Sequence, residues 1–304
     1  MEHFSDRLAS AIRSRRSVVC VGLDPVLERM PPELVEKYRP QAPEADEEAA
    51  VAACFEEFCV GVIEAVADVA ACVKPQAAFF EQYGAAGWRA LAAVVRRARE
   101  HGLPVILDVK RGDIASTGAA YARAAFGGAP GFSGPLAGIG ADAVTASPYL
   151  GADSLEPLID HCAAGHGVFV LTRTSNPGAA LLQEAEVDGR PLFLRVADLV
   201  RELGAAHVGE AGYSDVGVVA GATAPAQLRA VREALPDAFL LVPGYGAQGA
   251  GPDALAGVAA GEAAGFVVNA SRSVIFAWQE VGGDFRRAAA VAAESMRNDL
   301  GGFL

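Results

Sequence analysis

The chain has 304 residues, 52% hydrophobic and 20% charged, which is apolar enough to fold around a core rather than stay disordered. Its 37 acidic residues outnumber 25 basic ones, and a net charge of −12 argues against the basic face that a nucleic acid or an anionic membrane requires. Five cysteines (Cys20, Cys54, Cys59, Cys72, Cys162) with no CxxC pair read as reduced core thiols of a cytoplasmic protein.

Residues 1–16, MEHFSDRLASAIRSRR, carry charges with no apolar stretch behind them, so they are not a secretory signal, and no element is predicted there. Beyond them two kinds of segment alternate. Short, continuously apolar runs at 18–23, 71–74, 105–108, 143–146, 168–171, 216–219, 239–242 and 266–269 predict buried strands. Ala/Leu/Arg/Glu-rich segments at about 46–66, 88–101, 116–126, 153–163, 190–203, 224–234, 252–260 and 284–299 predict helices. Strands without polar alternation belong to a parallel sheet covered on both faces. Eight βα repeats predict an α/β protein, a single-domain (β/α)8 TIM barrel over 1–304, with an open doubly wound sheet as the competing arrangement. Two segments exceed a bare barrel: the Pro- and Glu-rich 25–45 after the first strand, and 127–140, GGAPGFSGPLAGIG, whose composition predicts an irregular loop. Even the Ala-rich stretch 49–73 is interrupted by Glu56, Glu57, Glu64 and Asp68, so no membrane-spanning helix is expected.

In a barrel the loops after the strands converge on one mouth, so the residues that follow each strand form the candidate site. Asp24 follows the first strand and Lys74 ends the second. The third ends in DVKRGDI, where Asp108 and Lys110, two apart, point to the same side. With Asp113 close by, an ammonium kept charged between carboxylates can offset a developing carbanion and then protonate it. A solvated charged turn that caps the next helix is the plainer reading. A lysine is rarely buried alone, and a salt bridge from Lys74 to either Asp24 or Asp108 would account for it. After the fifth strand comes TSNPG with Ser175, after the seventh PGYGAQG, and after the eighth Ser271-Arg272. Gly246, Gly249, Gln248 and Arg272 suit a phosphate; otherwise the glycines merely make tight turns. His101, His161, His166 and His207 fall at helix ends or in turns and His3 near the start, and without HxH or HxxxH spacing they predict no metal site.

DVKRGDI with Thr117, then TSNPG, PGYGAQG and NASRS, together resemble the orotidine 5′-phosphate decarboxylase family. The match is closer to its longer bacterial type 2 subgroup, in which Arg-Gly precedes the second Asp of the lysine motif, and it runs from Asp24 to Arg272. The resemblance implies a barrel without cofactor or metal that converts orotidine 5′-monophosphate to UMP and CO2, the last step of de novo UMP synthesis. It also implies a homodimer whose active sites are shared at the interface. Lys110 would be the proton donor to C6, with Asp108 beside the leaving carboxylate, while Lys74 and Asp24 would order the charges and hold ribose hydroxyls. Asp113, Ile114 and Thr117 would reach the substrate of the partner subunit. Ser175 would contact the pyrimidine edge, Gln248 and Arg272 the phosphate, and Pro243 would line the pocket. One departure is Ala115, where many members have Gly or Pro, and it reads as a small change in a turn. Two other readings compete. One is a Mg²⁺-dependent sugar-phosphate decarboxylase or aldolase of the same superfamily, which shares the Asp-x-Lys-x-x-Asp core. The other is a non-catalytic nucleotide-binding barrel, against which the presence of Lys110, Asp108, Asp113 and Lys74 together argues.

Overall fold

The computed structural model describes residues 2–42, 46–246 and 249–304. All eight predicted strands are present: β1 (Val19–Leu23), β2 (Cys72–Pro75), β3 (Ile106–Arg111), β4 (Ala143–Ala146), β5 (Gly167–Arg173), β6 (Ser214–Ala220), β7 (Ala238–Val242) and β8 (Phe266–Ala270). Each runs parallel to its neighbours in the order β2-β1-β8-β7-β6-β5-β4-β3. The two ends of that order meet through the bridges Val73–Val105 and Gln76–Asp108, which completes the ring. A ring of sequential neighbours is a barrel, and it excludes the open doubly wound sheet, whose strand order reverses at a switch point. Every residue of β1, β2, β4, β6 and β7 is buried, as the absence of polar alternation implies for strands covered on both faces.

Among the described residues, eight helices of seven residues or more surround the strands: α1 (Phe4–Arg15), α2 (Pro32–Tyr38), α3 (Glu47–Val66), α4 (Gly84–Glu100), α5 (Ala115–Phe126), α6 (Leu192–Gly204), α7 (Pro225–Ala234) and α8 (Phe285–Leu300). The helix predicted at 153–163 is instead three short turns, Ala152–Ser154, Glu156–Ile159 and Asp160–Ala164, ended by a left-handed Gly165. The one predicted at 252–260 shrinks to Pro252–Leu255, because Gly257 and Gly261 adopt positive φ and stop helical propagation. The sequence reading assigns nothing to α1, yet its Phe4, Leu8 and Ile12 recur every fourth residue and are buried at the foot of the barrel. Phe4 meets Phe169 of β5 edge-on at 5.9 Å and lies over Gly167, where any Cβ would come within 2.3 Å of its ring.

The extra segment after β1 is packed onto the barrel. The Arg29 side chain donates to Gln279 Oε1 at 2.9 Å and lies over the Phe276 ring, while Lys37 and Tyr38 of α2 both bond Glu57 of α3. Residues 43–45 of that segment lie outside the described residues. The stretch 127–140 is not wholly irregular: Ala129–Gly131 and Gly134–Leu136 pair as an antiparallel hairpin. Pro130 faces Pro135 there, which a central sheet would not tolerate, but an isolated ribbon has no further strand that needs their missing N–H groups. A second small ladder, unpredicted, joins Glu186–Val187 to Arg190–Pro191. Among the described residues no helix is long and apolar enough to cross a membrane.

Candidate active site

Lys74, Asp108, Lys110, Thr145, Ser175 and Pro243 line one recess of about 390 Å³ at the C-terminal ends of the strands. A recess of similar size, about 360 Å³, opens at the other end of the barrel beside α1. Its arginines are tied to backbone carbonyls and Asp142, so the convergence of charge distinguishes the mouth, and size does not.

Asp108 is the hub. Its Oδ2 accepts from Lys74 Nζ at 2.8 Å and Gln76 Nε2 at 2.9 Å, and its Oδ1 from Lys110 Nζ at 2.6 Å and Thr145 Oγ1 at 2.8 Å. Four donors use the roughly four lone-pair sites of a carboxylate. Burial by itself would raise the Asp108 carboxyl, but the Lys74 and Lys110 ammonium groups outweigh it and hold the group well below the usual carboxylate range. Burial would likewise lower Lys74; the charges of Asp108 and Asp24 overcome that and hold it above the ordinary lysine value. Of the two partners open to Lys74, Asp108 makes the bond and Asp24 acts through its field. Asp24, next to the last residue of β1, keeps a buried Oδ1 with no hydrogen-bond partner among the described residues, an acceptor suited to a ligand hydroxyl. Lys110 differs from Lys74 in access: its side chain is 46% exposed against 7%.

The spacing predicts that Asp108 and Lys110 share a side, and they do, but regular alternation is not the cause. From Leu107 to Arg111, β3 takes four residue steps where β4 takes two, from Val144 to Ala146. Lys110 adopts φ +47° within this bulge. Bulges with a left-handed residue re-aim side chains beside active sites.

Asp113, Ile114 and Thr117 are not brought into this recess. Asp113 Oδ1 accepts from Ile114 N at 2.8 Å, and both Ile114 and Thr117 are exposed. Ala115 takes φ +46°, so the apparently small departure occupies a left-handed position where glycine would be less strained. On the phosphate side, Gly246 N donates to Ala250 O and Gly249 N to Gly246 O. These two amides serve their own loop, which corrects the expectation that they are free for a phosphate. Arg272, opening a short helix after β8, is exposed and has no ion pair among the described residues. Gln248 lies outside the described residues.

Residues 17–281 match the family described as "Orotidine 5'-phosphate decarboxylase / HUMPS family". The chain belongs to that family. It is 47% identical over 278 residues to the orotidine 5′-phosphate decarboxylase of Rhodopirellula baltica, which covers 91% of this chain and 89% of that one. Against the enzyme of the same name from Roseiflexus castenholzii it is 42% identical over 300 residues, 98% and 97% of the two chains. Among solved structures, Leishmania donovani OMP decarboxylase superposes with a TM-score of 0.71 at 35% identity, over 97% of this chain and 99% of that one.

For a member of this decarboxylase family, the sequence reading missed three polar residues of the site. Thr145 is the one hydroxyl in the otherwise apolar β4, and Gln76 follows Lys74-Pro75. Gln183 lines the recess and accepts from Thr174 N at 2.8 Å. A polar residue at an apolar strand end is the signal that marks the first two. His161 and His166 pack on Phe126 at 5.3 and 4.4 Å, and burial holds both below the ordinary imidazole value. His3 Nδ1 bonds the buried Asp215 at 2.7 Å. Among the described residues no three His, Cys, Asp or Glu side chains are grouped to hold a metal ion.

Proposed function

We propose that the chain decarboxylates orotidine 5′-monophosphate to UMP and CO2, with Lys110 as the proton donor. The observation that carries this reading is the Lys74–Asp108–Lys110 array, in which one ammonium is locked in the wall and the other stands open to the recess. Breaking the bond between C6 and its carboxylate leaves the electron pair in an in-plane sp2 orbital, orthogonal to the ring π system. No enolate can delocalise it, so fixed positive charge must stabilise it. Lys110 supplies that charge and then the proton: the C6–H bond forms, and the neutral amine is recharged from solvent. Asp108 keeps both ammonium groups charged and sets negative charge beside the leaving carboxylate.

The remaining roles belong to the same proposal. Asp24 and Lys74 hold ribose hydroxyls, which gives the orphaned Asp24 oxygen its donor. Ser175, whose carbonyl accepts from Thr223 Oγ1 at 3.0 Å, meets the pyrimidine edge, and Pro243 lines the same wall. Arg272 with Gln248 grips the phosphate, whose binding energy helps align the distant reacting carbon. Asp113, Ile114 and Thr117 serve the site of a second copy in a homodimer. The supporting feature is that large apolar side chains are left exposed, Ile114 itself and also Phe132, Leu136, Tyr149 and Leu150, of the kind an isologous interface would bury. Five free, buried thiols suit a reducing, cytoplasmic compartment.

The Mg²⁺-dependent alternative fits the site poorly. A divalent ion needs carboxylate oxygens; Asp108 has both of its oxygens engaged by donors, and the free oxygen of Asp24 lies in the field of the Lys74 ammonium, whose positive charge opposes a second cation. An ultraviolet assay of orotidine 5′-monophosphate with and without EDTA tests the proposal. The expected result is loss of substrate absorbance at a rate that EDTA leaves unchanged. Inhibition by EDTA would break the metal-free mechanism, and no loss from folded protein would move the weight to the sugar-phosphate or non-catalytic reading.

A further inference from the structure

The geometry points to Thr145 as a positioning residue of the decarboxylation: its hydroxyl holds Lys110 and Asp108 in their working arrangement while leaving the reacting atoms to them. This rests on the decarboxylase reading above. The additional residues of the β3 bulge leave amide groups with no ladder partner in β4. Val109 N and Lys110 N turn instead to Thr145 Oγ1, at 3.0 and 2.9 Å, and the same oxygen donates to Asp108 Oδ1 at 2.8 Å. A hydroxyl has one proton and two lone pairs. Both lone pairs receive amide protons here, so the hydroxyl proton goes to Asp108. The full hydrogen-bonding capacity of a side chain only 1% exposed is therefore committed to Asp108 and Lys110 of the charge array and to Val109 between them.

Lys110 needs such a tether. Its φ of +47° is unfavourable for a residue with a side chain, and conformations of that kind persist only where the surroundings over-determine them. The lone pairs of Thr145 fix two consecutive peptide groups, Asp108–Val109 and Val109–Lys110, and its proton fixes the carboxylate to which the Lys110 ammonium is bonded at 2.6 Å. Valine at this position keeps the branched shape and removes the oxygen, leaving two part-buried N–H groups without that acceptor and the bulge free to relax. Serine keeps the oxygen.

The test measures kcat, KM and UMP affinity for the wild-type protein, T145V and T145S, with folding followed by circular dichroism. T145V is expected to lose about 100-fold in kcat, the scale of a roughly 1 Å misplacement of a reacting group. KM and UMP affinity should stay near wild type, because ribose and phosphate are held from other strands, and T145S should recover most of the rate. A merely structural role would lower the melting temperature of T145V and leave kcat intact, and that result overturns the proposal. So does a T145S variant as slow as T145V. If the valine variant does not fold, T145A takes its place in the comparison with T145S. A folded wild-type protein that turns over no orotidine 5′-monophosphate would sink the decarboxylase reading and this proposal together; full kcat in T145V beside an active wild type would sink the proposal alone.

Discussion

Lys74 and Lys110 bond the same carboxylate at 2.8 and 2.6 Å, and burial separates their work. Removing Asp108 leaves the buried Lys74 without its bonded counter-ion, and removing Lys74 leaves the buried Asp108 with one of its two cations, so those variants mix stability with catalysis. Lys110 is half-exposed, which makes Lys110→Ala the cleaner probe. Turnover is expected to fall by at least about 10³-fold, near the upper part of the range for a lost general acid, with melting temperature and UMP binding preserved. Near-normal turnover would remove Lys110 from the mechanism. The same array sets the pH behaviour. A carboxyl held below its unfolded value contributes stability above about pH 4 and loses it as pH falls through the folded value. Lys74, held above its unfolded value near 10.4, contributes below that pH and loses it only as pH rises through the higher folded value. Neither group changes charge between about pH 5 and 9. Carbon-13 NMR of the Asp108 carboxyl should therefore show no titration step above about pH 4, and a midpoint above about 5 would contradict the array as described.

At the scale of elements, the sequence marks strands far better than it marks what lies at their edges. Continuous apolar runs locate all eight strands because burial on both faces leaves no room for polar residues. Helix periodicity fails where glycine and proline cut it, at 153–163 and 252–260, and the hairpin at 129–136 is invisible because its residues pair only with each other. α1 escapes notice because its three apolar residues sit among charges. Its role is to cover the foot of the barrel, with Phe4 against Phe169 and the buried Asp215 accepting from Ser5 N and Oγ at 2.9 Å. Phe4→Ala is expected to cost about 3–5 kcal/mol of stability, as other large core truncations do, and to leave kcat unchanged in the folded protein. Chemical denaturation beside the ultraviolet assay checks both halves; a loss of kcat with full stability would tie α1 to the site instead.

For the whole molecule, the closed ring brings strand ends from β1 to β8 to one mouth, and the Asp113 loop still lies outside the recess its own chain forms. The proposal that sites are shared between two copies makes a direct prediction. Lys110→Ala and Asp113→Ala proteins, each inactive alone, should on mixing and re-equilibration regain about a quarter of wild-type activity. Half the dimers are then mixed, and each mixed dimer has one intact site. No recovery, with mixed dimers demonstrated, would place Asp113 in the site of its own chain.

The sequence alone determined the strands, and the family through motifs spread from Asp24 to Arg272, because these depend on local apolar runs and on residue types kept in order; the barrel is its first reading, and only ring closure excludes the open doubly wound sheet. Only the tertiary structure decided that Asp108, and not Asp24, bonds Lys74, that Thr145 supports the lysine, and that Lys110 sits in a left-handed bulge. Those partners are 34 to 37 residues apart in the chain. The bulge exists only relative to the register of β4. Side-chain hydrogen bonds across a barrel mouth and backbone strain set by a neighbouring strand have no local signature, since both arise from which strands come to lie side by side.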